Sequence, residues 1–452
     1  CCQVIPELKV QISELQRQKH ECEVLVEEQR KELELFLKDF EEQLDQKERV
    51  IKQLENQMIS LETAQKQKTS SPVPKHYLGM LEYNLEDESR LIQNLILDLK
   101  PKGVAVNMIP VLPAYILFMC IRHADYMNNE DKLRSFMNAT ISAVKKTHQN
   151  DLALLSFWLS NMYQLLNCLK QYSGEVEFSK HSTARQVNNC LQNFDLSDHQ
   201  QVVSDLAICI YHQFIAAMER ALTPAIPGML EHESLQGISS MKLRGFLKRS
   251  RKDMETYTIS FIIQRLSHFH SNMTQHGTEP HLIKQVVKQL LFHIGATTLN
   301  NLLLRKDMCS CRKGMQICNI SYLEEWLQEK DFQSCHFIDT LKPLIEAAWL
   351  LQVSKSTDDD AKAITEKCTE LNTVQIVKIL NSYTPVDLFE KRVASSFVRK
   401  VQSLRQDHDS AAQLMMDAHY RFPVTFPFCV SSQALELLQV PSSLHLEFLT
   451  MI

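Results

Sequence analysis

LPAYILFMCIRHADY, Leu112 to Tyr126, sets the class of fold. The apolar run it belongs to, Val111 to Ile121, is interrupted only by Pro113. A bilayer span takes about 20 apolar residues, so this run is too short to cross a membrane and reads as a central, buried helix. The segments around it carry helical periodicity. Gly79 to Leu99 places Leu81, Leu85, Leu91, Ile92, Leu95 and Leu99 at spacings of three and four. Asp151 to Tyr172 holds Trp158, Leu165, Cys168 and Leu169, and Ser197 to Leu222 sets Val202, Leu206, Cys209, Ile210, Phe214 and Met218 on one face.

Composition agrees. The 452 residues are 44% hydrophobic and contain only 9 glycines. Phosphate-cradling loops, tight hairpins and bulges draw on glycine for positive φ, so the chain is expected to be helices joined by polar turns. A net charge of -5 gives no general footprint for nucleic acid. The 13 cysteines are scattered, several within apolar helical patterns, as reduced thiols of a cytosolic protein would be. The chain opens CCQVIPELKV, without a signal peptide and as if in mid-element, and is expected to be part of something longer.

Thr223 to Tyr257 breaks the helical pattern with Pro224, Pro227, Gly228, Gly237, Gly245 and the basic run LRGFLKRSRK, and reads as an exposed connection, 224–257. Beyond it run Thr258 to Thr274, Pro280 to Lys306, Tyr322 to Glu329, Ile338 to Gln352, Asp360 to Glu370, Thr373 to Asn381 and Val386 to Leu404. FPVTFPF, Phe422 to Phe428, alternates aromatics with prolines and must be extended. An extended apolar segment needs a groove, so it is expected to pack back across the helices. The organisation is then an all-α chain with bundles at 77–223 and 258–420 and a returning segment at 421–452.

The N-terminal part differs. From Leu33 to Leu61 the a positions are Leu37, Leu44, Ile51 and Met58, and the d positions are Leu33, Phe40, Lys47, Leu54 and Leu61. Such a narrow apolar seam is the signature of a coiled coil, here 1–68, and predicts a homodimer. An upstream heptad in another phase slips near Gln29. The linker, 69–76, carries Pro72 and Pro74, which end the helix.

Chemistry is thin. GxxxxGK[ST], HExxH and GxSxG are all absent. Cys309, Cys311 and Cys318 form CxCx6C, a poor match to structural zinc spacing, so no metal is expected. Cys120, His123 and Asp125 could suggest a nucleophile triad, but three residues on one apolar helix more often serve packing and surface polarity. Thr357 to Asp360 reads as a helix N-cap with an acidic first turn. What remains is an interaction protein without a cofactor. A helical subunit of a vesicle-tethering complex and an enzyme of unrecognised type are the alternatives.

YLGMLEY, SFWLSN, LNCLKQYSG, MLEHESLQG, IKQVVKQ, TLNNLLLRKDMCS, YLEEWL, QIVKILNSYTP and FPVTFPF together resemble the globular tail, or dilute domain, of the class V myosins. The likeness runs from about Tyr77 to Ile452, and CSCRKGMQ, AAWLLQV and ILNSYTPVD are most similar to the vertebrate c isoform. The rod in front is similar to the last coiled coil of that heavy chain. The resemblance implies two α-helical subdomains, the C-terminal segment returning to the first. It implies a cytoplasmic tail on vesicles and the actin cytoskeleton that binds cargo through Rab-family GTPases and adaptor proteins. It also implies folding back onto the motor head as autoinhibition. The ATPase head and IQ neck are not in this chain, so contact with actin would come only through the head and contact with membranes only through cargo. By the resemblance, Lys306 and Lys378 match basic residues that meet an acidic site on the head. Gln352 belongs to the Rab-facing patch, with Cys318 where the family has a tyrosine, and Trp326 lies in the same region. For Trp326 the bland alternative is a buried anchor, since Leu323 and Leu327 share its face. At Lys248–Arg251 relatives carry a serine-rich phosphorylation loop, and here only Ser250 remains.

Overall fold

Pro113 stands in the first turn of helix α1 (Leu112–Tyr126), where its missing N–H leaves no bond unmade. Ala114 N, one of the open donors of that turn, is satisfied by Asn161 Oδ1 at 3.0 Å. Everything from Leu112 to Asp125 is buried, as its apolar sequence demands. The structure, a computed structural model, describes residues 77–101, 109–147, 151–180, 182–227, 259–317, 320–332, 337–386, 390–405 and 413–452. They belong to one compact unit, His76–Ile452. The coiled-coil seam Leu33, Leu37, Phe40, Leu44, Ile51, Leu54, Met58 and Leu61, together with Cys318 and Lys248–Arg251, lies outside the described residues.

Against α1 pack α2 (Glu130–Thr147) and α3 (Leu152–Gln171), and α4 (Ser197–Leu222) lies along α3 and touches α2. Then follow α5 (Ile259–Gln275), α6 (Pro280–Leu304), α7 (Cys311–Ile317), α8 (Ser321–Glu329), α9 (Lys342–Gln352), α10 (Asp358–Lys367), α11 (Thr373–Ser382) and α12 (Ser395–Leu404). Helix α6 is the longest contact element of this half. It touches α4, α9 and α11. Ser197–Ala225 is long and apolar enough to cross a membrane, but half of its most apolar stretch is buried against the other helices.

Four expectations need correction. Gly79 to Leu99 is not one helix: Leu81–Glu82 forms strand β1, and only Glu88–Ile92 is α-helical. On α4 the buried stripe is Val203, Leu206, Ala207, Ile210, Phe214 and Met218, while Val202 and Cys209 face solvent. The start of the expected exposed connection is inside the body, with Ala225 and Ile226 fully buried. Helix α12 starts at Ser395 rather than Val386, because Val386 N is taken by the Glu390 carboxylate at 2.8 Å.

The C-terminal segment does return; it is free of helix from Gln413, bends at 414–415 and turns at 418–419 before the extended run that holds its prolines. Pro423 and Pro427 cannot donate, and the other backbone groups need partners. Side chains supply them. Asn300 bonds both N–H and C=O of Met416, at 2.9 and 2.8 Å. His293 Nδ1 meets Ala418 O at 3.0 Å. Gln289 takes Tyr420 O and Phe422 N, at 2.8 and 3.0 Å, and Gln285 takes both backbone groups of Thr425 at 2.9 Å. The segment then passes to α3. There Tyr163 donates to Pro427 O, Asn167 accepts from Cys429 N at 3.2 Å, and Gln171 holds Ser431 N and O at 2.9 and 3.1 Å. Phe422 packs on Phe292, Phe426 on Tyr163 and Phe428 on Phe178. Strand β2 (Thr450–Met451) finally pairs antiparallel with β1, Leu81 opposite Met451.

Candidate docking site

The residues that suggested enzyme chemistry have structural work. Burial pushes the Cys120 thiol up to about 12, which keeps it a thiol. Asp125 accepts from the backbone N–H groups of Gln192, Asn193 and Phe194 at 2.9–3.1 Å, so its carboxylate organises a loop. Thr357 and Asp360 form a capping box at the start of α10, as the sequence suggests.

Lys306 and Lys378, 72 positions apart, come together. Helix α6 ends at Leu304, Arg305 is extended, and Lys306–Met308 makes a single 3-10 turn. That turn is pinned from below: Cys309 is buried and its Sγ lies 3.4 Å from Leu302 O. Arg305 turns onto Asp307 at 2.8 Å, which holds that carboxyl below its ordinary value. Of the RKD triplet this leaves Lys306 exposed, its ammonium group with no hydrogen-bond or ion-pair partner among the described residues.

Helix α11 brings the second lysine. Asn372 and Gln375 form its capping box. Val374, Val377, Lys378 and Asn381 follow at i, i+3, i+4 and i+7, one face of the helix. Thr384, just past its end, donates its N–H to Cys309 O at 2.7 Å and its hydroxyl to Lys306 O at 3.3 Å. These two bonds tie the ends of α6 and α11 together. The result is a hollow of about 420 Å³ lined by Lys306, Val374, Val377, Lys378, Asn381, Ser382 and Leu414. Its rim is cationic and its floor partly apolar, and none of its lining residues is acidic. Burial raises the Cys309 thiol to about 11, opposed by the nearby charge of Lys378.

Gln352 stands exposed at the end of α9, its amide donating to Ala348 O at 3.0 Å. Helix α7 lies against it through Gly314. A Cβ there would come within 2.8 Å of Ala348 O and 2.9 Å of Leu351 Cβ, so only glycine permits this approach. Trp326 is a correction: it is 2% exposed, donates to Ser267 Oγ at 2.8 Å and packs on Phe332, which leaves it no face for a partner. Its period with Leu323 and Leu327 carried that signal.

Two carboxylates escaped the sequence reading. Glu346 on α9 accepts from Thr369 N and Oγ1, Glu370 N and Leu371 N at 2.9–3.1 Å, fixing the turn that starts α11. Glu219 on α4 is paired with Arg421 through two bonds of 2.8 and 2.6 Å. Neither partnership is local, so no spacing announces it.

Residues 285–387 match the DIL domain family. This range contains both lysines of the hollow. Unconventional myosin-Vc of Homo sapiens is 59% identical over 427 residues, which is 92% of this chain and 24% of that protein. The chain thus spans about a quarter of the length of the curated relatives it matches. The yeast myosin 5 cargo binding domain superposes with a TM-score of 0.60 at 20% identity, covering 81% of this chain and 95% of that one. The structure of Myo2-GTD in complex with Smy1 gives a TM-score of 0.58 at 21% identity, covering 78% and 92%. The matched part is the globular tail and not the motor head. By sequence and by fold, the chain belongs to the class V myosins, as a length of tail most like that of myosin-Vc.

Proposed function

We propose that this chain is the cargo-binding and autoinhibitory tail of a dimeric actin-based vesicle-transport motor, and that the lysine hollow receives an acidic site on the motor head. The observation that carries the reading is the convergence on one concave surface of two lysines whose ammonium groups have no partner among the described residues. An exposed ion pair is worth only about 0.2–1 kcal/mol and is screened by salt. Two tails on one dimer, each tethered to its own heads, raise the effective concentration and make such weak contacts sufficient. Inhibition is therefore salt-labile. In the full-length motor, Lys306→Ala with Lys378→Ala should raise ATPase activity at low salt several-fold, with tail stability within about 0.5 kcal/mol of wild type. A double variant as inhibited as wild type returns Lys306 to a plainer role, a cation beside the C-terminal end of α6.

Cargo enters by a second surface. The complex of Myo2-GTD with Smy1 supports partner binding by this fold. The exposed Gln352 beside α7 is the site proposed for a GTP-loaded Rab, now without Trp326. Gln352→Arg should reduce GTPase capture while circular dichroism stays unchanged. Equal capture by the variant would remove this patch from the reading. Dimerisation through the Leu33–Leu61 seam makes the assembly bivalent. Light scattering should show a dimer for the full chain and a monomer for a chain beginning at His76. The setting is cytoplasmic, with vesicles reached through cargo and actin through the absent head.

A further inference from the structure

The extended C-terminal segment crosses from α6 to α3 at one point, and side chains from three places in the sequence converge there. Glu279 is the residue before α6, His281 lies in its first turn, and Cys429 comes from the extended segment. One donor atom from each, a carboxylate oxygen, a ring nitrogen and the thiol sulfur, lies within 4.8 Å of both others. All three are half-buried. The Tyr163 hydroxyl touches two of them, 2.9 Å from His281 Nε2 and 3.4 Å from Cys429 Sγ.

Glu279 is the odd member. It occupies the N-cap position of α6, yet its side chain makes no capping bond. Among the described residues its carboxylate has no hydrogen-bond or ion-pair partner. A half-buried carboxylate facing an imidazole and a thiol, with no cation beside it, is an unbalanced arrangement. The three donors are one each of oxygen, nitrogen and sulfur. That mixed set suits a borderline-soft divalent ion and is a poor one for magnesium or calcium, which prefer oxygen throughout.

We propose that Glu279, His281 and Cys429 form a zinc-type metal site that pins the extended C-terminal segment to the start of α6. Zinc binds nitrogen at about 2.0–2.1 Å and thiolate sulfur at about 2.3 Å, so donors of one tetrahedron stand about 3.5 Å apart. With every pair within 4.8 Å, the site closes by at most about 1.3 Å to reach that spacing, and the unbonded Glu279 side chain is free to supply its part of the movement. Tyr163 positions the other two through its hydroxyl. On binding, the Cys429 sulfur exchanges its proton for the metal, and that proton leaves to solvent. The fourth coordination position is left for water. The CxCx6C spacing plays no part. The donors come from positions 279, 281 and 429, which no linear motif connects.

The test uses the full chain, stripped with a chelator and titrated with zinc ion against a chromophoric competitor. Cys429→Ser, His281→Gln and Glu279→Gln are compared with wild type and with Cys209→Ser, an exposed cysteine on α4. The expected result is one zinc equivalent weakened by about a hundredfold or more in Cys429→Ser and His281→Gln, beyond what loss of an outer partner costs. Glu279→Gln should weaken the same equivalent, and Cys209→Ser should leave it intact. Cobalt ion should give a thiolate charge-transfer band that Cys429→Ser abolishes. Zinc should also slow hydrogen exchange at the Cys429 and Ser431 amides in wild type and not in Cys429→Ser, a readout independent of the titration. Thermal unfolding without metal checks that the variants are folded, and Cys429→Ala serves if the serine variant is not. Zinc stoichiometry and affinity unchanged in the Cys429 variant overturns the proposal. So does a loss confined to Cys429 with His281→Gln and Glu279→Gln behaving as wild type, which would mark a lone reactive thiol.

Discussion

Arg421→Ala is expected to destabilise the tail by about 3–5 kcal/mol, the cost of stranding a buried charge. Its partner Glu219 has a side chain only 5% exposed and receives two guanidinium N–H groups. Once the arginine is gone, the nearest cationic candidate is His293, with Nδ1 at 3.8 Å and already occupied by Ala418 O. Removing both partners should cost far less. A buried pair replaced by apolar groups of similar volume is often near neutral, so Glu219→Leu with Arg421→Met should recover most of the loss. Urea unfolding at equal slope measures the difference. An Arg421→Ala cost under about 1 kcal/mol would mean that water reaches the carboxylate and the pair is an ordinary surface contact.

The second large effect is expected at Glu346. Its carboxylate gathers the N–H groups of Thr369, Glu370 and Leu371, and only Leu371 among these is buried. Each buried donor left without a partner costs about 1–3 kcal/mol, and the two exposed ones can turn to water. Glu346→Ala should therefore lose about 3 kcal/mol, and Glu346→Gln, which keeps one acceptor oxygen, about half of that. The effect reaches function because this turn fixes where α11 begins, and α11 carries Lys378. Under low-salt conditions where Glu346→Gln remains folded, inhibition of the parent motor should weaken along with stability. Full inhibition in a destabilised Glu346→Gln motor would show that the position of α11 does not matter for docking.

The two sites differ in how far the sequence reveals them. Helices α3, α4, α6 and α11 are legible as helices because each carries a period of three and four, although on α4 the buried stripe runs through Val203 and Ala207 rather than Val202 and Cys209. Gly79 to Leu99 shows the limit. Its leucines keep the helical spacing, yet Leu81 is drawn into a strand by Met451, a partner 370 positions away. The segment 413–421 has no proline to declare that it leaves the helical pattern. Asn300, His293 and Gln289 hold its main chain, and their role is invisible until α6 is laid beside it. Lys306 and Lys378 were joined by family resemblance. In the structure the agents are Thr384 and Cys309, which lock the two helix ends. Trp326 was legible in the opposite sense, since its own neighbours in the helical period already placed it inside.

Tyr163, Asn167 and Gln171 step along α3 four residues at a time, and they hold Pro427, Cys429 and Ser431, which step two at a time. Four residues of α-helix advance about 6 Å and two residues of extended chain about 6.6 Å. The two rulers nearly coincide, and the contacts read main chain rather than side chain. Val430, which makes none of these contacts, can therefore be replaced freely, but the length of the stretch cannot change. A substitution at Val430 leaves the register untouched. Deleting that one residue would slide every later group by half a step, set N–H against N–H, and turn the face of Phe428 away from Phe178 or that of Ser431 away from Gln171. Among relatives, gaps should be rarer between 427 and 431 than substitutions, and a single-residue deletion there should unfasten the C-terminal end while leaving the helices formed.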